Sequence, residues 1–270
     1  MVVQHNMQAI NTNRMLGQNV KAVAKSTEKL SSGYAVNRAA DDAAGLSISE
    51  KMRNQIRGIN QAVKNSEDGV SLIQTAEGNM NEIHSILQRM GELATKAAND
   101  VNASEDRTAI KDELTELINE IDSISSKAAF NGTKLLNGDF VGKYLQVGAE
   151  SGENMKISIK QMNATILGVK NIAVSTHATA SAAMSAITSA IKTVSAQRSL
   201  LGAKQNRLEY TINNLENYSE NLTSAESTIR DTDMAAEMTN YTKTSILQQA
   251  AQSMLAQANQ STQGVLSLIQ

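Results

Sequence analysis

From Ala180 onward an apolar position recurs in alternating steps of four and three: Met184, Ile187, Ile191, Val194, Arg198, Leu201, Gln205, Leu208, Ile212, Leu215, Ser219, Leu222, Glu226 and Ile229. Most of these are apolar and the register never slips, so the spacing predicts one long helix packed in a coiled-coil manner. Each buried Leu or Ile contributes roughly 1.5–3 kcal/mol. Such a seam outweighs the mediocre helix propensity of the many Ser, Thr and Asn between its members. A partner stripe lies in the first half: Met52, Ile56, Ile59, Val63, Ser66, Val70 and Ile73, then, after a small phase shift, Met80, Ile83, Leu87, Met90, Ala94 and Ala97. Ser47 and Glu50 stand at capping-box spacing near its start. Gly58, Gly69, Gly78 and Gly91 interrupt it at about 1 kcal/mol each relative to Ala, so this helix depends on its neighbours. A third stripe, Ile110, Leu114, Leu117, Ile121 and Ile124, follows Ser104, which is expected to cap it, with Glu105 and Asp106 in the first turn.

Between the stripes the period changes. Asn131-Gly132 and Asn137-Gly138 are turn dipeptides. Tyr144 to Val147 and Met155 to Ile159 read as short strands, the second alternating Met155, Ile157 and Ile159 with Lys156, Ser158 and Lys160. The chain is therefore expected to run up, turn in a small β region at about 130–162, and return. The fold class is mainly α: a long antiparallel coiled-coil-like bundle with a small β-hairpin region at its distal end and both termini at the other.

The two ends differ from the middle. No formal charge occurs from Met1 to Asn13, and no ionisable side chain from Thr244 to Gln270. Both ends nevertheless keep apolar stripes, with Leu16, Val20, Val23, Thr27 and Leu30 in one. The other has Leu247, Ala251, Met254, Ala258, Ser261, Val265 and Leu268, with Leu255 and Leu266 beside them. An isolated surface helix carries charge on its outer face. A helix surrounded by copies of itself avoids charge, because each charge would be desolvated next to its own repeat. The many Gln and Asn can hydrogen-bond between neighbours instead. The ends read as buried in a homopolymer.

Composition narrows the rest. The 270 residues contain no Pro, Trp or Cys and only two Phe and five Tyr. The missing Pro removes the commonest helix breaker, and the missing Cys removes disulfides and thiolate catalysis. A net charge of −2 supplies no basic field for nucleic acid. No apolar run is long enough for a membrane span. The opening MVVQHNMQAI lacks the basic start and apolar stretch of a secretory signal, so export without a cleaved signal is expected. His5, His84 and His177 are scattered without metal-ligand spacing. Asp41-Asp42 and the pair Asp231 and Asp233 fall at helix junctions, where capping is expected rather than cation binding. The twelve Met read as seam packing, and nothing points to a cofactor or to catalysis.

The run EKLSSGYAVNRAADDAAGLSISEKMRNQIRGINQAVKNSEDGVSLIQTAEGNMNEIHSILQRMGELA resembles the start of bacterial flagellins, and IRDTDMAAEMTNYTKTSILQQAAQSMLAQANQSTQGVLSLIQ resembles their end. The resemblance implies a short flagellin without variable outer domains, having only Asn171 to Ala183 where many members insert them. Residues 1–44 and 232–270 would form the inner filament layer, D0, and 45–231 the surrounding D1. It departs from the family at Gly91, Thr262 and Gln270, where a basic residue, a Pro and an Arg are common. The function implied is that of a self-assembling subunit of the motility filament, secreted through the flagellar export channel to the extracellular flagellum. The implied partners are copies of itself, the export apparatus, a flagellin chaperone, and the filament cap and hook-junction proteins. The alternative is a hook–filament junction protein. By the same resemblance Arg89 and Leu93, with Glu113 on the next helix, would form a surface recognised by the host receptor TLR5.

Overall fold

The computed structural model describes residues 6–267, with side chains followed to Ser261. The elements in chain order are α1 (Met7–Ser32), α2 (Ala43–Ala97), α3 (Ser104–Lys127), β1 (Ala129–Phe130), β2 (Thr133–Lys134), β3 (Lys143–Gln146), β4 (Asn154–Ile157), α4 (His177–Arg230) and α5 (Met234–Ser267). They fall into two compact units, residues 57–219 and residues 1–56 with 220–270. The mainly helical reading holds.

Helix ends follow local chemistry. The Asn6 side chain accepts the Ala9 N–H at the start of α1, and Gly33, at φ 77°, ends the helix by donating to the Lys29 carbonyl. Asp42 Oδ1 accepts the N–H groups of Ala44 and Gly45 and so opens α2. That corrects the capping box expected at Ser47 and Glu50. Asp42 supplies the acceptor a turn earlier, and Ser47 and Glu50 lie inside the helix. In α3 the cap also falls earlier than expected. Ser104 is the first helical residue, and Asp106 Oδ2 reaches back to the Ala103 N–H at 3.2 Å.

In the unit of residues 57–219, Glu77 meets Arg198 at 3.4 Å, Gly69 lies against Leu208, and Asn60 accepts the Ser219 hydroxyl at 3.0 Å. Positions rise along α4 as they fall along α2, so the two stripes pack antiparallel. Met80, Ile83, Leu87 and Met90 of α2, Ile121 of α3, Leu135, Leu136 and Met162 of the β region, and Val194 and Leu201 of α4 are buried in one cluster. Methionine fills the space that aromatic rings would otherwise occupy.

Asn131 and Gly132 both take positive φ, at 45° and 77°, the geometry of a two-residue hairpin between β1 and β2. The second hairpin pairs Lys143 with Ile157 and Gln146 with Asn154. Its strands begin one residue before the expected Tyr144 and Met155. Met155 and Ile157 point into the core and Lys156 points out, as the alternation requires. Ile159 is buried too but leaves the ladder, its N–H donated to the Phe140 carbonyl at 2.8 Å.

Candidate assembly surface

The unit formed by both ends of the chain is organised by α1 and α5, which pack antiparallel. Asn6 donates to the Ala258 carbonyl at 3.0 Å near one end, and Lys29 faces Glu237 at 3.9 Å near the other. A sequestered series on α1 runs through Ala9, Thr12, Leu16, Asn19, Val23, Ser26 and Leu30, flanked by the half-buried Ala22, Glu28 and Lys29. One on α5 runs through Glu237, Tyr241, Thr244, Gln248, Ala251, Leu255 and Ala258, flanked by the half-buried Ser245. Both series step strictly by three and four, a heptad seam on each helix. Its buried members are small, Ser26, Thr244, Ala251 and Ala258, so the backbones approach closely and little side-chain area is hidden.

The larger apolar residues lie on the other faces. Met7 is 69% exposed, Ile246 60% and Met254 59%, and Ile10, Met15, Val20 and Leu247 are exposed as well. Of the residues the stripes nominated, Leu16, Val23, Leu30 and Leu255 are half-buried in the seam and Ala251 is buried. Val20, Leu247 and Met254 face away from it. Leu268 lies outside the described residues, as do the side chains of Val265 and Leu266. The stripes did not name Met7, Ile10, Met15 and Ile246. Their signal is a second apolar face on helices whose first face is partly polar.

Ion pairs gather where the seam ends. The Glu237 carboxyl is held below its ordinary range, chiefly by a hydrogen bond from the buried Ser26 hydroxyl, and also by Asn240 and the nearby Lys29 and Lys25. Asp41 is lowered by Lys25, whose ammonium lies 2.9 Å away, and by the Arg38 N–H. Beside them the chain crosses over itself. Ala35 donates to the Arg230 carbonyl at 2.7 Å, Thr232 donates to the Gly33 carbonyl at 2.9 Å, and Tyr34 bridges to Asp231. Asp233 Oδ1 then accepts the Ala235 and Ala236 N–H groups and starts α5. Asp42 and Asp233 are therefore helix caps.

A second surface lies in the unit of residues 57–219. Arg89 on α2 offers Nη2 and Nε to Glu113 Oε1 of α3 at 2.9 and 3.1 Å, and Nη1 to Glu92 at 3.1 Å. Glu113 first, then Glu92, hold the guanidinium more firmly protonated than usual. Arg89 and Glu113 are exposed, but Leu93 is only 3% exposed and forms the floor of a concavity that Lys96, Asn102 and Asp106 help to line. At Gly91 a Cβ would meet only Ile187 Cγ2, at 3.8 Å, so the site accepts a side chain. His84 and His177 bond separately to Gln88 and the Ala98 carbonyl, and His5 lies outside the described residues.

Comparison with known proteins places this architecture. Residues 3–141 match the bacterial flagellin N-terminal helical region, and residues 184–269 match the bacterial flagellin C-terminal helical region. Flagellin of Halalkalibacterium halodurans is 51% identical, and flagellin of Bacillus subtilis 46%, each over the full length of both chains. The flagellar filament 31.3 kDa core protein of Treponema maltophilum is 44% identical, again over both full lengths. The crystal structure of Bacillus cereus flagellin superposes with a TM-score of 0.51 at 30% identity, covering 56% of this chain and 88% of that one. A putative flagellar hook-associated protein from Vibrio parahaemolyticus gives 0.60 over 71% of this chain and all of its own, but at 15% identity that likeness shows the fold alone. With two helical regions in the right order and relatives matched end to end, the chain belongs to the bacterial flagellin family, the structural subunits of the flagellar filament.

Proposed function

We propose that the chain polymerises through α1 and α5, which form the inner layer D0 (residues 1–44 and 232–270) inside a D1 layer built from residues 45–231. The observation that carries this is the exposure of large apolar side chains on both helices together with the absence of charge from Met1 to Asn13 and from Thr244 to Gln270. The mutual seam hides mainly small side chains, so Met7, Ile10, Ile246 and Met254 are left for other copies. The role is structural and non-enzymatic, in an extracellular filament reached through the flagellar export channel without a cleaved signal. The export apparatus, a flagellin chaperone, and the cap and hook-junction proteins are its transient partners. The test is removal of 1–32 and 235–270. The trimmed chain is expected to remain soluble and helical by circular dichroism and to add nothing to filament seeds under the electron microscope. Seeds that elongate with trimmed chain would overturn the proposal.

A second reading rests on the Arg89–Glu113 pair. This exposed forked ion pair above the apolar floor at Leu93 suits a protein partner, and TLR5 is the one proposed. The same face packs D1 against its neighbours in the filament, so the receptor binds free subunits in preference to polymer.

A further inference from the structure

The exposed methionines all lie in one of the two units. In residues 57–219, Met80, Met90 and Met162 are fully buried, Met155 is 2% exposed and Met184 is half-buried. In the unit formed by the chain ends, Met52 is half-buried, while Met7, Met15, Met234, Met238 and Met254 are exposed, from 46% to 69%. Met15 and Met254 also flank one groove between α1 and α5, together with Gln8, Asn11, Gln257 and Ser261. Packing does not require this of exposed positions, where Leu fits a helix equally well.

We propose that these five methionines are an oxidation site that reversibly stops free subunits from assembling. A thioether sulfur that solvent can reach is oxidised by hydrogen peroxide. The sulfur gives an electron pair to one peroxide oxygen, the S–O bond forms as the O–O bond breaks, and the departing hydroxide takes the proton of the transferred hydroxyl and leaves as water. The product is a polar, chiral side chain with a strong acceptor oxygen, and sulfoxide reductases return it to thioether. On a face reserved for other copies, that oxygen must be desolvated without a matched donor. Four of the five methionines of residues 57–219 are buried and only Met184 is half-buried, so the switch acts on assembly and leaves that fold intact. Polymerised subunits cover the same sulfurs and are protected. The inference rests on the assembly reading given above.

The experiment treats full-length soluble subunit with a limiting dose of hydrogen peroxide, maps sulfoxide by peptide mass spectrometry, and offers the partly oxidised pool to seeds. Met7, Met15, Met234, Met238 and Met254 are expected to oxidise at least tenfold faster than Met80, Met90, Met155 and Met162. Sulfoxide at Met15 and Met254 is expected to be depleted severalfold in pelleted filament relative to supernatant. Sulfoxide at Met184 serves as the control and should partition evenly. Reductase treatment of the supernatant should restore elongation. Equal oxidation rates in the two groups, or equal Met15 and Met254 sulfoxide in pellet and supernatant, would overturn the proposal. Failure of untreated subunit to elongate seeds is a separate result, which sinks the assembly reading and the switch built on it.

Discussion

The Arg230 guanidinium lies over the Tyr34 ring, 4.7 Å from its centroid, while its Nη1 bonds Glu50 Oε1 at 2.9 Å. One side chain at the last residue of α4 thus holds the segment after α1 and the first turns of α2. Its stem is largely covered, at 13% exposure, whereas Glu50 is half open to water, so the ring contact and packing should matter more than the ion pair. Arg230→Ala is expected to lower stability by about 1–2 kcal/mol and to open the 33–42 segment to protease. Tyr34→Phe, which keeps the ring, should change neither. Denaturant melts and timed digestion of the variants check this.

Glycines on α2 should respond in opposite directions. A Cβ at Gly69 would run into Leu145 Cδ2, with the buried Leu208 Cδ1 at 3.3 Å, whereas at Gly78 nothing lies within 4 Å. Gly69→Ala is expected to cost about 1–2 kcal/mol through overpacking. Gly78→Ala should gain up to about 1 kcal/mol from helix propensity. Thermal melts of the two variants give the sign directly.

The two faces of α5 separate pairing from polymerisation. Leu247→Asp places a carboxylate on the outward face and should block elongation of seeds while α1 and α5 still pair. Leu255→Asp sits in the seam and should disrupt both. Each buried unpaired charge costs several kcal/mol, about 3–5. The measurements are seeded elongation and helicity at neutral pH. Partial recovery of elongation at low pH, where the new carboxyl is protonated, is expected for Leu247→Asp.

Acid should loosen the terminal pair through Glu237. Its folded-state pKa lies below the unfolded value, which is near 4.5. The stabilisation is therefore complete above that pH and is lost as pH falls through the lower folded value. Asp41 is shifted in the same sense and adds to the same acid limb. Helicity followed by circular dichroism from pH 6 down to pH 2 should show a loss that Glu237→Gln makes shallower. Identical titrations for the two chains would refute the assignment.

The receptor reading predicts that Arg89→Ala weakens binding of free subunit to a TLR5 ectodomain at least tenfold, against little change for the distant Lys160→Ala. Intact filament should bind much less per subunit than monomer. Equal binding by filament and monomer would make this only a packing face.

The helices were legible wherever burial follows hydropathy. Along α4 the stripe is buried at Ile187, Val194, Leu201 and Leu208, and half-buried from Ile212 onward. The terminal seam was harder to see, because Thr12, Asn19, Thr244 and Gln248 occupy heptad positions where an apolar pattern expects Leu. The stripe through Leu247 and Met254 therefore follows the outward face and meets the seam only at Ala251 and Ala258. Leu93 stands three residues after Met90 and four before Ala97, both buried, so its spacing already placed it on the core flank. The family resemblance had assigned it to the surface. The cap of α2 falls before Ser47 because Asp42 accepts the first N–H groups, and α3 takes Ser104 as its first residue with Asp106 accepting the Ala103 N–H.

The charge-free stretch from Thr244 to Gln270 has one more consequence. Contacts made by those residues with one another contain no charged side chain for counterions to screen and none for protons to titrate. Their strength should be the same in brackish and in strongly saline water, and in mildly acid and alkaline surroundings alike. Sensitivity to the ionic environment is left to the charged residues elsewhere in the chain, Arg14 and Lys21 of α1 among them. A polymer centred on these ends carries its own insulation against changes in the medium outside.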